Sequence, residues 1–252
     1  MKKSIKDILD YKITTKDNTD GKIKDILFDE DTWIIRYLEA DFGNIFNDRR
    51  VLIPRFLLRD AFMTEGHFHV ELTQDEIDNC PRPEQHLPVS RQYEQDLHDY
   101  YHVDYYWNQP YAMPVDPVAG ATYPMQVPRA EHHEAVSEVD THLRSFNEIK
   151  GYTLHASDGK LGNINDFIID DSNWKIMYAV INSGNWLSWR KKVLLDIGWI
   201  ETISHQQKEA RTILNTDAIK DSPEYDPRIP IDSQYENTLH THYEHNLIRS
   251  RT

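Results

Sequence analysis

The sequence predicts a mainly β protein, two small barrels each followed by a short C-terminal helical tail. Three observations predict it: a long internal repeat, short strand-like segments punctuated by turn residues, and helix signals confined to the end of each copy. Setting Ser4 against Ser145, a shift of 141, brings Ile8 onto Ile149, Tyr11 onto Tyr152, Gly21 onto Gly162, Asp25 onto Asp166, Asp29 onto Asp170 and Trp33 onto Trp174. Past position 50 the shift is 142, so Arg50-Val51-Leu52 meets Lys192-Val193-Leu194, Pro81 meets Pro223 and Tyr93 meets Tyr235. The repeat spans roughly 3–101 and 144–243, far more than the roughly 20–50 residues of a solenoid unit. The expected organisation is copy one with its tail over 1–107, a linker over 108–141 and copy two with its tail over 142–252. The linker holds Pro110, Pro114, Pro117, Pro124 and Pro128; proline fixes φ and removes backbone donors, which makes such a segment extended and semi-rigid.

Within each copy, Tyr11–Thr15 and Tyr152–Ala156 read as opening strands. Lys22–Phe28 alternates and then turns apolar, as a strand does, and Gly162–Ile169 repeats it. Glu30-Asp31 and Asp171-Ser172-Asn173 are turns, and the aromatic and β-branched runs Trp33–Leu38 and Trp174–Ile181 complete two hairpins. Val51–Pro54 with Val193–Ile197, and His67–Leu72 with Ala210–Leu214, supply the later strands. Short strands with few helices suit a small barrel, which hides its sheet edges. Thr73-Gln74-Asp75-Glu76 has the spacing of a capping box, and Asn215-Thr216-Asp217-Ala218 begins a helix at the matching place. Second helices follow over about Ser90–Tyr101 and Asp232–Tyr243, with Tyr93, Leu97, Tyr235, Leu239 and Tyr243 at helical spacing.

These residues resemble the PRC-barrel domain. The resemblance rests on Ser4-Ile5-Lys6-Asp7-Ile8 to Tyr11, Gly21-Lys22-Ile23-Lys24-Asp25, Trp33, Tyr37 and Val51-Leu52-Ile53-Pro54, and in copy two on the Ser157-Asp158-Gly159-Lys160-Leu161-Gly162 turn. Copy one departs from that turn, with Lys16-Asp17-Asn18-Thr19-Asp20 in its place. The segments Leu72–Pro81, Arg91-Gln92-Tyr93-Glu94 and Tyr100-Tyr101 to Trp107 look like those of bacterial tandem members. Kinship with the cytoplasmic part of the photosynthetic reaction-centre H subunit and with a ribosome-maturation factor implies a barrel used for protein contacts, with no catalytic residues to carry over. A fold alone does not fix a partner.

Charge and composition narrow the function. The chain has 28 basic against 42 acidic residues, a formal charge of -14. Binding to phosphate backbones or anionic lipid needs clustered cations, so nucleic acid and the membrane surface are poor partners. No apolar stretch reaches the roughly 18–20 residues of a membrane span. The single cysteine, Cys80, fits the reducing cytoplasm, the expected location. The Ser4-Ile5-Lys6-Asp7 start does not read as a signal peptide. No nucleophile elbow, phosphate loop, paired-cysteine or zinc-protease motif is present, so the chain is expected to be a non-catalytic, cofactor-free interaction or scaffolding protein whose partner is another protein, with a homodimer possible.

The alternative is a metal-dependent regulator. His98 and His102 are four apart, and His242 and His245 three apart, on predicted helices, where such pairs can share a face and bind zinc or nickel. Each helix supplies two ligands at most, so a solvated, His-rich face is the plainer reading. The carboxylates Asp29-Glu30-Asp31 and Asp170-Asp171 read as solvated turn residues. Trp33 and Trp174 repeat and belong to the core or its cap. Trp186, Trp189 and Arg190 do not repeat as such and lie in the predicted hairpin 182–190; they either pack on the fold or form a contact patch, where Trp and Arg are enriched. Tyr105, Tyr106 and Trp107 are a second candidate contact surface, or else a pin that holds the linker to a barrel.

Overall fold

A computed structural model describes residues 1–43, 47–59, 66–82, 89–108, 142–182 and 191–250, with the side chains of 108 and 247–250 outside the description. Copy one runs through β1 (Lys2–Ser4), α1 (Ile5–Ile8), β2 (Lys12–Thr14), β3 (Asp20–Asp29), β4 (Ile35–Asp41), β5 (Arg50–Pro54), β6 (His67–His69), α2 (Gln74–Asn79) and α3 (Arg91–Tyr101). Copy two repeats the plan as β7 (Leu143–Ser145), α4 (Phe146–Ile149), β8 (Thr153–Ala156), β9 (Gly159–Asp170), β10 (Lys175–Asn182), β11 (Lys192–Asp196), β12 (Ile200–Ser204), β13 (Glu209–Thr212), α5 (Thr216–Lys220) and α6 (Ser233–Ser250). The protein is mainly β, as expected. Among the described residues the two ladders run as open paths, β5-β4-β3-β2-β6 and β11-β10-β9-β8-β13-β12. Met1–Asn79 with His142–Thr252 forms one compact unit, and Cys80–Thr141 a second.

The first unit holds the feature that the sequence did not announce. Each copy lends its first strand to the other copy's sheet. β1 pairs antiparallel with β9, Ser4 opposite Ile168, and β7 pairs with β3 in the equivalent register, Ser145 opposite Leu27. The chain returns to its own sheet through the single turn α1 or α4, capped by Ser4 and Ser145. Those two serines also make the joint. Ser4 Oγ donates to Asp166 at 2.5 Å and Ser145 Oγ donates to Asp25. The N–H groups of Lys6 and Asn147 donate to the same carboxylates at 3.2 and 3.1 Å. A β-bulge in each long strand accompanies the joint: the pairing shifts register between Ile23 and Asp25 in β3, and between Ile164 and Asp166 in β9. An extra residue re-aims the side chains beyond it, and both aspartates are buried. Beyond the bulge Ile26, Leu27, Phe28, Phe167, Ile168 and Ile169 are all buried. A strand covered on both faces reads as an apolar run.

The two hairpins meet tip to tip. Ile35 N donates to Trp174 O and Ile176 N donates to Trp33 O, both at 2.8 Å. The strands start after the tryptophans, at Ile35 and Lys175, not on them as the sequence suggested. Trp33 and Trp174 close their turns with φ of 60° and 59°. That left-handed conformation costs a side-chain-bearing residue roughly 1–2 kcal/mol. Ring packing offsets it: Trp33 stacks on Phe28 at 5.5 Å and meets Phe167 edge-on at 5.8 Å.

The turn carboxylates are not simply solvated, which corrects the sequence reading. Asp29 accepts from the N–H groups of Asp31 and Thr32 and from Arg36. Arg144 binds Glu30 through two parallel bonds at 2.8 and 2.9 Å, and Lys2 binds Asp170 at 2.8 Å. The strand exchange brings these opposite charges within reach. In copy one's variant turn, Asn18 has φ 65°, the left-handed conformation to which Asn is suited, where copy two has Gly159. Asp17 and Asp158 then accept the N–H groups of Gln74 and Thr216, holding α2 and α5 by their first turns. The predicted capping box is formed: Thr73 N donates to Glu76 and Glu76 N to Thr73 Oγ1. α6 continues to Ser250, well past the expected end at Tyr243, because no Gly or Pro interrupts 244–250.

The exchange makes the linker unnecessary for holding the copies together. One cut at a protease site inserted between residues 109 and 141 is expected to leave both pieces in one particle, with unchanged elution under native conditions and separation in denaturant. Two separated native pieces would contradict the pairing of β1 and β7.

Candidate interaction sites

Trp186, Trp189 and Arg190 lie outside the described residues, as does nearly all of the linker. The other three proposed contact residues sit in the second compact unit, where Tyr105, Tyr106 and Trp107 fold back onto α3. Tyr105 stacks nearly parallel on Trp107 at 4.9 Å, Tyr106 meets the Trp107 ring edge-on at 4.8 Å, and the Arg91 guanidinium lies over it at 4.3 Å. Beneath them Glu94 is fully buried. It accepts from Tyr106 Oη at 2.6 Å and from Arg91 at 3.2 Å. A buried charge needs such partners. The aromatic faces are therefore largely used within this unit, and all three side chains are half-buried.

Of the two histidine pairs, His98 and His102 depart from the helical register their spacing suggests, while His242 and His245 both lie on α6. His98 is 1% exposed, its Nδ1 lies 2.9 Å from Asp104 O, and burial holds its pKa below the usual range. α3 ends at Tyr101, and His102 follows it in the left-handed conformation with φ 54°. The four-residue register that would align the two rings is broken there. His242 Nε2 lies 2.6 Å from Ala218 O, tying α6 to α5, while His245 is exposed. Among the described residues, no three His, Cys, Asp or Glu side chains converge to hold a metal ion.

A concave site that sequence reasoning missed lies in the first unit, between the segment joining α5 to α6 and the first turns of α6. This cleft encloses about 320 Å³, and its lining includes Glu224, Tyr225, Asp226, Ile229, Asp232 and Tyr235. Hydrogen bonds fix both tyrosines. Tyr225 N donates to Lys192 O at 2.8 Å, which zips the segment along the edge of β11. Tyr235 Oη donates to Pro223 O at 3.3 Å, and Asp232 caps α6 by accepting from Tyr235 N at 2.8 Å. Within the second unit, Tyr93 Oη makes the same bond to Pro81 O at 3.0 Å, so this tether belongs to the repeat. Burial pushes the Tyr225 hydroxyl up to about 12, with the charges of Asp166, Asp7 and Asp226 adding to it. Tyr235 is also pushed up to about 12, again chiefly by burial. The available signal was the run Glu224-Tyr225-Asp226, which has aromatic and acidic residues but no regular period.

The family model of the PRC-barrel domain matches the chain at residues 2–56 and 142–221. The matched regions include the exchanged strands, both long hairpins and, in copy two, α5. No curated protein sequence matches the chain. Among the described residues, no helix is long and apolar enough to cross a membrane.

Proposed function

The chain belongs to the PRC-barrel family, and from that premise we propose that it is a non-catalytic interaction or scaffolding protein of the cytoplasm, with another protein as partner. The observation that carries this reading is the use of the repeated buried carboxylates. Asp25 and Asp166 are the kind of perturbed acids that an enzyme employs, yet both are engaged by serine hydroxyl and backbone N–H donors at the joint between copies. Their chemistry goes into building a stiff double module. The charge of -14 favours protein partners over nucleic acid or anionic lipid. The single thiol, Cys80, is buried, in keeping with a reducing compartment.

A second copy of the chain is one partner this reading includes. β12 ends its ladder among the described residues, and an open edge is a template for another strand. Affinity capture from the native cell with the intact chain, followed by cross-linking, is expected to return a stoichiometric protein partner. Light scattering at micromolar concentration is expected to give twice 29.8 kDa for the purified chain. A chain that is captured alone and scatters as a monomer overturns the proposal.

A further inference from the structure

The cleft at the start of α6 has a lining that selects a partner by charge. Its carboxylates outnumber its cations: Glu224, Asp226 and Asp232 line it, and the nearby Arg228 is forked onto Asp226 at 2.6–2.9 Å through its closest bonds. Among the described residues, no cation pairs with Glu224 or Asp232. Its lining includes two tyrosines, Tyr225 buried and Tyr235 half-buried; tyrosine rings attract cations and pack against apolar stems. Ile229, 65% exposed, adds a large apolar surface in the same place. The Tyr225 hydroxyl is held protonated by burial and the surrounding negative charge, so it offers a donor or an acceptor and no charge of its own. A volume of about 320 Å³ is at the lower limit of sites that take whole small molecules. It suits one long side chain with part of its neighbours.

We propose that this cleft receives an arginine or lysine side chain, flanked by apolar residues, from an extended segment of a partner protein. The guanidinium or ammonium would lie among the lining carboxylates, its methylene stem beside the tyrosines, and an apolar neighbour on Ile229. This deepens the interaction reading above and rests on it. Charge-assisted bonds give such a site its selectivity, and a long side chain can pack its stem on apolar surface while its charge stays at the carboxylates.

The test uses the intact chain with its tyrosines isotopically labelled and observed by NMR. The probe is the capped peptide Leu-Arg-Leu, with its citrulline analogue and spermidine as controls. The Arg peptide is expected to shift the Tyr225 and Tyr235 signals saturably, and the citrulline peptide to bind at least tenfold more weakly. The double variant Glu224→Gln/Asp232→Asn keeps an Asn cap on α6 and is expected to weaken the Arg peptide at least tenfold while leaving the other tyrosine signals in place. Unmoved Tyr225 and Tyr235 signals, an equal response to citrulline, or tighter binding of spermidine than of the peptide would overturn the proposal. Affinity capture separates it from the broader reading: a native partner retained by the double variant rejects the cleft and leaves the interaction function standing.

Discussion

Replacing Phe167 by alanine is expected to cost about 3–5 kcal/mol and to unfold both copies in a single transition. The ring is fully buried. It meets Phe28 and Trp33 of copy one and Phe146 of copy two at centroid distances of 5.7, 5.8 and 6.1 Å. The cavity left by truncation opens where the copies share a core, not within one of them. Urea unfolding followed by circular dichroism gives the loss, and native-state hydrogen exchange locates it. Protection of β3 and β9 should fall together. Loss confined to β9 would mean that the copies unfold independently and that the exchanged strands add little.

Asp25→Asn is expected to remove the Asp25 share of a fall in stability between about pH 4 and pH 6. Burial pushes the Asp25 carboxyl up to about 6 from 3.8, against the pull of the Ser145 hydroxyl and the N–H groups of Ile26 and Asn147. The folded protein thus holds this proton more tightly than the unfolded chain does. Its contribution is fully present below pH 4, is lost as the pH rises through the folded value, and is constant above it. The interval from 3.8 to about 6 corresponds to about 3 kcal/mol. Asp166 is raised by burial too, and it is unchanged in the variant, so the difference between the two unfolding free energies isolates Asp25. Wild type should lose about 3 kcal/mol relative to Asp25→Asn across that window. Parallel curves from pH 4 to 7 would show that the carboxyl is already ionised at pH 4.

The two copies, their strands and their helix starts were legible because each rests on local chemistry. Thr73 and Glu76 announce a cap at any location, and the alternation of Lys22–Asp25 announces a strand. The exchange was not legible, because the sequence of β1 is the same whichever sheet it joins. One trace of it was present. The change from alternation to an unbroken apolar run at Ile26-Leu27-Phe28, repeated at Phe167-Ile168-Ile169, is what a second cover over the strand requires. The tryptophan turns were misplaced for a related reason: aromatic residues favour strands, and here packing holds them in a backbone conformation that they rarely adopt. The cleft rests on a segment with no period, so its shape depends on the strand edge beneath it. His98 and His102 were separated by a helix end that their spacing does not encode.

Reciprocal exchange within one chain has a consequence for divergence. In an association of two identical chains, every change appears on both sides. Here the seam, with its serine–aspartate joints, must stay matched, but the outward features need not. Phe68 in copy one packs against Trp174 at 6.3 Å, and its counterpart in copy two is Ala210. His98 is buried beside Trp107, while its counterpart His240 is exposed near Tyr178. Duplication within a single chain thus frees each copy to change its surroundings one at a time, while the matched seam between them is kept.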